Sequence, residues 1–201
     1  MFLHTNINKI QKEGISMKQL GTVRLESERL VLRKIALCDS KDMFNNWANN
    51  PRVTKHMTWP THQNEEVTIM VINSWIEQYV KDDFYQWAIE IKDTNQVIGT
   101  ISVVRILDYI KEFEIGYCIG ENWWNKGITS EALSLVIEFL FNQVGANRIC
   151  ACHDVDNPSS GKVMIKNNMK YEGTFRKKGI TSTGKICDIA YYSILKEEYK
   201  L

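Results

Sequence analysis

Glu112-Phe113-Glu114-Ile115-Gly116-Tyr117-Cys118-Ile119 reads as a strand, Gly120 to Gly127 as a loop, and the residues from about Ile128 onward as a helix. Ala132, Leu133, Val136, Ile137 and Leu140 fall on one face of that helix. A strand feeding a glycine-containing turn and then a helix leaves backbone N–H groups free at the helix start, where the macrodipole adds partial positive charge. Such a terminus binds phosphates. Gly127 lets the backbone approach a bulky anion, and Thr129 and Ser130 place hydroxyls in the first turn, Ser130 as a cap or a phosphate donor. Most glycines in such a position are turn residues and nothing more, so this segment alone leaves both readings open.

Upstream, Arg29 to Ile35 reads as a strand. Asp39 as N-cap with Asp42 at the third helical position opens a helix through Trp47, which Asn49-Asn50-Pro51 stops. The loop from Lys55 to Gln63 precedes a helix over Glu65 to Val80, and Tyr85 to Ile91 and Val97 to Leu107 form a hairpin about Lys92 to Gln96. Downstream come a short strand at Arg148 to His153, a helix at Ser159 to Asn168, and strands at Tyr171 to Arg176 and Ile186 to Leu195. The fold class is therefore α+β: a mixed, mostly antiparallel sheet of about seven strands flanked by helices. One strand-helix-strand crossover lays Arg148 to His153 parallel to Glu112 to Ile119.

A chain of 201 residues suits one domain, over residues 21–201, with residues 1–20 as a disordered lead. Lys12-Glu13-Gly14 before Met17 suits translated ribosome-binding sequence, which makes Met17 a candidate start. Twenty-five basic residues against twenty-four acidic ones give a formal charge of +1, too little to hold a nucleic-acid backbone or an anionic membrane. No stretch approaches the roughly 18 apolar residues of a membrane span. Five cysteines, an odd number set in apolar runs, argue against a disulfide framework and for the reducing cytoplasm. Cys150, Cys152 and His153 read as strand packing, with no second pair at ligand spacing, so no metal is expected.

Several strings in order change the weight of the opening segment. They are Glu114-Ile115-Gly116-Tyr117, Trp124-Asn125-Lys126-Gly127-Ile128-Thr129-Ser130-Glu131-Ala132, Asn147-Arg148 and Asn157-Pro158-Ser159-Ser160. Together with Glu28-Arg29-Leu30-Val31-Leu32-Arg33, Thr58-Trp59-Pro60 and Asp188 before Tyr191-Tyr192-Ser193-Ile194-Leu195, they resemble the GNAT N-acyltransferase superfamily over Leu25 to Tyr199. The branch is similar to the RimJ/RimL group of ribosomal-protein N-terminal acetyltransferases.

The resemblance implies a GNAT fold whose fourth and fifth strands splay apart, with acetyl-CoA as the acetyl donor. It puts the CoA pyrophosphate on the turn Trp124, Asn125, Lys126, Gly127, Ile128 and Thr129, with Ser130 beside it. Trp124 stands where the strict motif has Gln or Arg, and Thr129 where it has a small residue. It puts the thioester beside the amides of Tyr117, Cys118 or Ile119, one of which stabilises the oxyanion. Asn157 and Ser160 match an element near the departing sulfur; capping of the next helix by Asn157 or Ser159 is the alternative.

The superfamily's usual acid, a tyrosine one turn into that helix, is replaced by Met164. Ser160 is the first candidate to protonate the thiolate, and Glu114 the first candidate for a base acting through water, unless it is a salt-bridged strand residue. Tyr171 and Asp188 are weaker candidates. At pH 7 a lysine amine is roughly 0.04% neutral and an α-amine on the order of 10%, so an α-amine needs far less help. The leading expectation is an N-acetyltransferase acting on a primary amine, its acceptor a protein N-terminus such as that of a ribosomal protein. A small amine (polyamine, amino acid or antibiotic) and a non-catalytic acetyl-CoA binder are the alternatives. Segments 50–65 and 177–185 should set the acceptor, His56 and His62 read as loop residues, and exposed strand edges allow a homodimer.

Overall fold

The computed structural model describes residues 17–199. Its centre is one eight-stranded sheet in the order β1-β2-β3-β4-β5-β6-β8-β7. The strands are β1 (Leu25–Glu26), β2 (Leu30–Arg33), β3 (Gln86–Ile91), β4 (Gln96–Leu107), β5 (Glu112–Ile119), β6 (Arg148–Asp154), β7 (Lys170–Ile180) and β8 (Ile186–Leu195). The helices are α1 (Ser40–Met43), α2 (Pro51–Thr54), α3 (Glu65–Gln78), α4 (Ile128–Phe139) and α5 (Pro158–Lys166). The strand beyond the expected seven is β1, whose two residues pair Leu25 with Leu32 and Glu26 with Val31. Two residues carry no periodicity to read. Among the expected lead residues, Met17 and Leu20 pack against the core, and the Lys18 amide donates to the Val144 carbonyl at 3.2 Å. The rest of that lead, residues 1–16, lies outside the described residues.

Every neighbouring pair is antiparallel except β5 and β6, which run parallel. Their register covers Glu112 with Arg148 through Ile115 with Ala151 and then stops, although both strands continue. Arg148 pins the start, donating from Nε to Glu112 at 2.5 Å. The ladder thus opens between the strands named fourth and fifth by sequence, now β5 and β6.

Helices α4 and α5 cover one face. Leu133, Val136 and Ile137 of α4 meet Phe113, Ile115 and Ile149 of the sheet. On the other face Met43, Trp47, Val53 and Ile72 pack against Ala88, Val97 and Cys118. Fully burying one such side chain contributes about 1.5–3 kcal/mol, so these two layers fix where the β5–β6 opening sits.

Two local expectations are corrected. Asp39 stands at the N-cap of α1 with Asp42 in its first turn, as expected, but the Asp39 side chain makes no capping bond there. Asp39 accepts from both terminal nitrogens of Arg33, at 2.7 and 2.9 Å, and from the Ala36 amide at 2.8 Å. Asp42 accepts from the Val97 amide at 2.9 Å, tying α1 to β4. Strand β7 runs on past Arg176 to Ile180, and the turn that follows docks on the segment after α2. There Ser182 donates through its amide to the Met57 carbonyl at 2.6 Å and through its hydroxyl to the Thr54 carbonyl at 2.8 Å. The two segments expected to shape the acceptor site therefore touch.

Candidate active site

The loop after β5 turns into α4 through two left-handed residues, Asn125 at φ +61° and Gly127 at φ +76°. The first bond at the helix start runs from the Glu131 amide to the Gly127 carbonyl at 3.1 Å, so the amides of Ile128, Thr129 and Ser130 point out of the helix end. A Cβ on Gly127 would meet one atom within 4 Å, Nη2 of Arg29 at 3.8 Å. Glycine is set there by its φ and by open space, not by crowding. Trp124, at the position where the motif has Gln or Arg, donates from Nε1 to the Ile119 carbonyl at 3.0 Å and ties the loop to the end of β5.

Arg29 reaches the same turn. Its Nε donates to Glu131 at 2.8 Å, its Nη1 to the Lys126 carbonyl at 3.4 Å, and the Ser27 hydroxyl donates to the other oxygen of Glu131 at 2.6 Å. Burial works against a charged Glu131, and the Arg29 and Ser27 donors outweigh it, holding its carboxyl below the usual range. Sequence reading placed Arg29 in a motif string and gave it no part in the site.

Tyr117, Cys118, Ile119, Trp124, Asn125, Gly127, Ile128, Thr129, Ser130, Asn157 and Ser160 all line one cavity of about 400 Å³. Lys126 is the exception among the residues expected to hold the carrier; it contributes a backbone carbonyl to Arg29. A second cavity, of about 470 Å³, lies against the first and shares His56, Met57, Tyr117, Cys118, Asn157 and Ser160 with it. Trp47, Trp59 and Trp75 wall this second space, and Asp154 is the one carboxylate among its described lining residues.

At the junction β5 and α5 are stapled together. The Tyr117 hydroxyl donates to the Ser160 carbonyl at 2.9 Å and accepts from the Ser160 hydroxyl at 3.0 Å. Burial pushes the phenol well above its ordinary range. Asn157 stands at the N-cap of α5 with no side-chain cap bond. Met164 is 1% exposed and belongs to the core.

The β5 backbone also faces this junction. Gly120 donates to the Ile98 carbonyl at 2.8 Å, and Cys118 pairs with Thr100 in the same ladder. Alternation along an antiparallel pair then turns the amides of Gly116 and Cys118 toward β4 and those of Tyr117 and Ile119 toward the opening.

Glu114 is placed elsewhere. It is paired with Arg105, opposite it on β4, at 2.8 Å to Nε and 2.7 Å to Nη2, accepts from the Cys152 thiol at 3.4 Å, and lines neither cavity. Asp188 accepts from the Lys177 amide at 2.8 Å, and Tyr171 bonds Thr174; both lie off the cavities. His62 is buried and bonds the Thr68 hydroxyl at 2.7 Å, with burial lowering its pKa. His56, read by sequence as a loop residue, sits 2.8 Å through Nδ1 from Oδ2 of the buried Asp154. Their separation of 98 residues left no local signal. Among the described residues no group of three or more His, Cys, Asp or Glu is placed to hold a metal ion, and no helix is long and apolar enough to cross a membrane.

Residues 29–170 match the family model described as an acetyltransferase (GNAT) domain. The chain is 31% identical over 172 residues to the uncharacterized N-acetyltransferase YoaA of Bacillus subtilis, covering 86% of this chain and 96% of that one. It is 28% identical to the ribosomal-protein-serine acetyltransferase of Escherichia coli over 75% of this chain and 84% of that one. The crystal structure of a GNAT-family acetyltransferase from Bacillus anthracis superposes with a TM-score of 0.78 at 26% identity, covering 88% of this chain and all of that one. With an eight-stranded sheet opened beside an exposed helix start and a family match over most of its length, the chain belongs to the GNAT acetyltransferases and is an N-acetyltransferase.

Proposed function

We propose that the protein moves acetyl from acetyl-CoA to the free α-amine of a protein N-terminus, by direct attack in a ternary complex in the cytoplasm. The observation that carries this reading is the pair of cavities joined at Tyr117, Cys118, Asn157 and Ser160, one floored by a helix start and the other walled by tryptophans. The first fits the CoA arm. It has the outward amides of Ile128, Thr129 and Ser130, and its described lining carries Arg52, Lys55, Lys162 and Lys166 against Asp156 alone.

In the reaction the amine nitrogen bonds the thioester carbon, the carbon–sulfur bond breaks, and sulfur takes a proton. The Tyr117 or Ile119 amide is the donor to the developing oxyanion. The hydrogen-bonded hydroxyls of Ser160 and Tyr117 supply the proton to sulfur; a thiol of pKa near 8.5 needs only modest assistance.

The acceptor reading rests on the second cavity. Its single carboxylate is engaged by His56, so no acidic wall attracts a polycation such as spermidine. Its size suits the first one or two residues of a peptide, and the serine-acetylating relative from Escherichia coli supports such a partner. Release of CoA thiol, measured with peptides beginning in Ser, Ala or Met, with the same peptides blocked at the N-terminus, and with spermidine, tests this. Turnover restricted to free N-termini is expected. Equal turnover of blocked lysine-containing peptides or of spermidine would overturn the acceptor, and no thiol release with any amine would overturn the activity.

A further inference from the structure

We infer that His56, held by Asp154, is the general base that takes the proton from the acceptor amine. The inference rests on the acetyl-transfer reading above and adds a residue to which neither the sequence motifs nor that reading gave a role.

Three observations carry it. First, position: His56 is one of six residues that wall both cavities, with Met57, Tyr117, Cys118, Asn157 and Ser160, so it borders the line along which an amine meets a thioester. Second, orientation: Nδ1 lies 2.8 Å from Oδ2 of Asp154, whose side chain is 3% exposed. A carboxylate is acceptor-only, so Nδ1 carries the hydrogen and Nε2 is left with its lone pair as the basic atom. Asp154 is itself fixed, its Oδ1 accepting from the Asp156 amide at 3.0 Å. Third, elimination: Glu114 is committed to Arg105, and His62 is committed to Thr68. His153 turns Nδ1 to the Asp154 carbonyl at 2.7 Å and buries Nε2 against Gly161.

The site repeats the logic of a base oriented by a third group. Between ammonium and amide the nitrogen loses two protons. One leaves through Nε2 of His56 to solvent, and the other is balanced by the proton delivered to sulfur as the carbon–sulfur bond breaks. Asp154 is a positioning residue, which sets the ring's tautomer and stabilises the imidazolium.

The test uses the full chain, acetyl-CoA and the best peptide acceptor. His56→Asn keeps a donor at the Nδ1 position and removes the base; kcat should fall about 100-fold while acetyl-CoA affinity by calorimetry stays within about threefold. His56→Ala should lose a similar factor and regain about tenfold when imidazole is added to the buffer, because the lost group is then supplied from solution. A His56→Asn enzyme running at the wild-type rate would overturn the inference. So would a loss in His56→Ala that imidazole leaves untouched, since a purely structural defect behaves that way. A wild-type protein that binds acetyl-CoA but acetylates no amine would instead remove the acetyl-transfer reading and this inference with it.

Discussion

Tyr117 and Ser160 exchange two hydrogen bonds across the place where β5 and β6 stop pairing, phenol to carbonyl at 2.9 Å and serine hydroxyl to phenol at 3.0 Å. The phenol reaches the cleft from a strand, while position 164 of α5, where the superfamily places its tyrosine, holds a core methionine. Tyr117→Phe should therefore lower kcat about tenfold or more with little change in acetyl-CoA affinity, as loss of a proton donor acting in the transition state does. Steady-state thiol release together with calorimetry checks this. An unchanged kcat would remove the phenol from the chemistry and leave it a staple.

Gly127→Glu places a side chain at φ +76° and a negative charge beside the outward amides of Ile128 to Ser130. Acetyl-CoA affinity should drop by about 100-fold or more, since both the approach and the charge are wrong for a diphosphate. Circular dichroism should show the helices retained. Wild-type affinity would mean that the carrier docks elsewhere.

Gly161→Ala brings a Cβ to 2.7 Å from Nε2 of His153, whose ring is also stacked on Tyr192 at 5.7 Å. Overpacking of this kind costs about 1–3 kcal/mol, to be read from urea unfolding. In the double variant with His153→Ala the clash disappears, so the two losses should sum to more than the double variant shows. Additive losses would say that the ring moves aside freely.

Acid should unfold the protein through its paired carboxylates. The carboxyls of Glu131, Asp154 and Glu172 are held below their ordinary values. Burial opposes the charged forms of Glu131 and Asp154. For Glu131 the donors of Arg29 and Ser27 outweigh it; for Asp154 the Asp156 amide and His56 do; for Glu172 the Arg148 bond leads. A group lowered on folding stabilises the protein above its unfolded value, about 4, and that contribution is lost as pH falls through the folded value. The melting temperature should hold from pH 7 to about 5 and fall steeply below about 4, and Glu172→Gln should flatten that fall. The same acid slope in the variant would remove Glu172 from the effect.

Thiol labelling separates the cysteines. Cys38 is exposed, whereas burial pushes the thiols of Cys118, Cys150 and Cys152 up to about 12 and raises that of Cys187. In native protein at pH 8 one thiol should react quickly with a disulfide reagent and the remainder only on unfolding. Mass mapping should find the fast label on Cys38, and its appearance on Cys150 or Cys152 would contradict the packing of β6.

The lining of the first cavity was legible because its information is local: a strand, a turn and a helix start within nineteen residues, from Glu112 to Ser130, bring Tyr117 to Ile119 and Trp124 to Ser130, Lys126 apart, to one cavity. The second cavity was not, because it is built from contacts far apart in sequence. His56 meets Asp154 across 98 residues, and Ser182 meets Thr54 across 128. Glu114 shows the same limit from the other direction. Its place on β5 was read correctly, yet the register that sets Arg105 opposite it is a property of two strands, which no single strand's pattern contains.

The opened ladder also bears on how such chains can drift apart. Donors at Ile119 and at Ile128 to Ser130 belong to the main chain, which almost any residue supplies. If the rim holds acetyl-CoA as proposed, relatives near 30% identity could exchange side chains along it without losing those donors. The replacement to which the rim is most sensitive is proline, which deletes the N–H itself. A saturation scan scored for acetyl-CoA retention should find the partly exposed Thr129 and Ser130 permissive to most residues and closed to that one, whereas Ile119, packed in the core, should accept only apolar replacements.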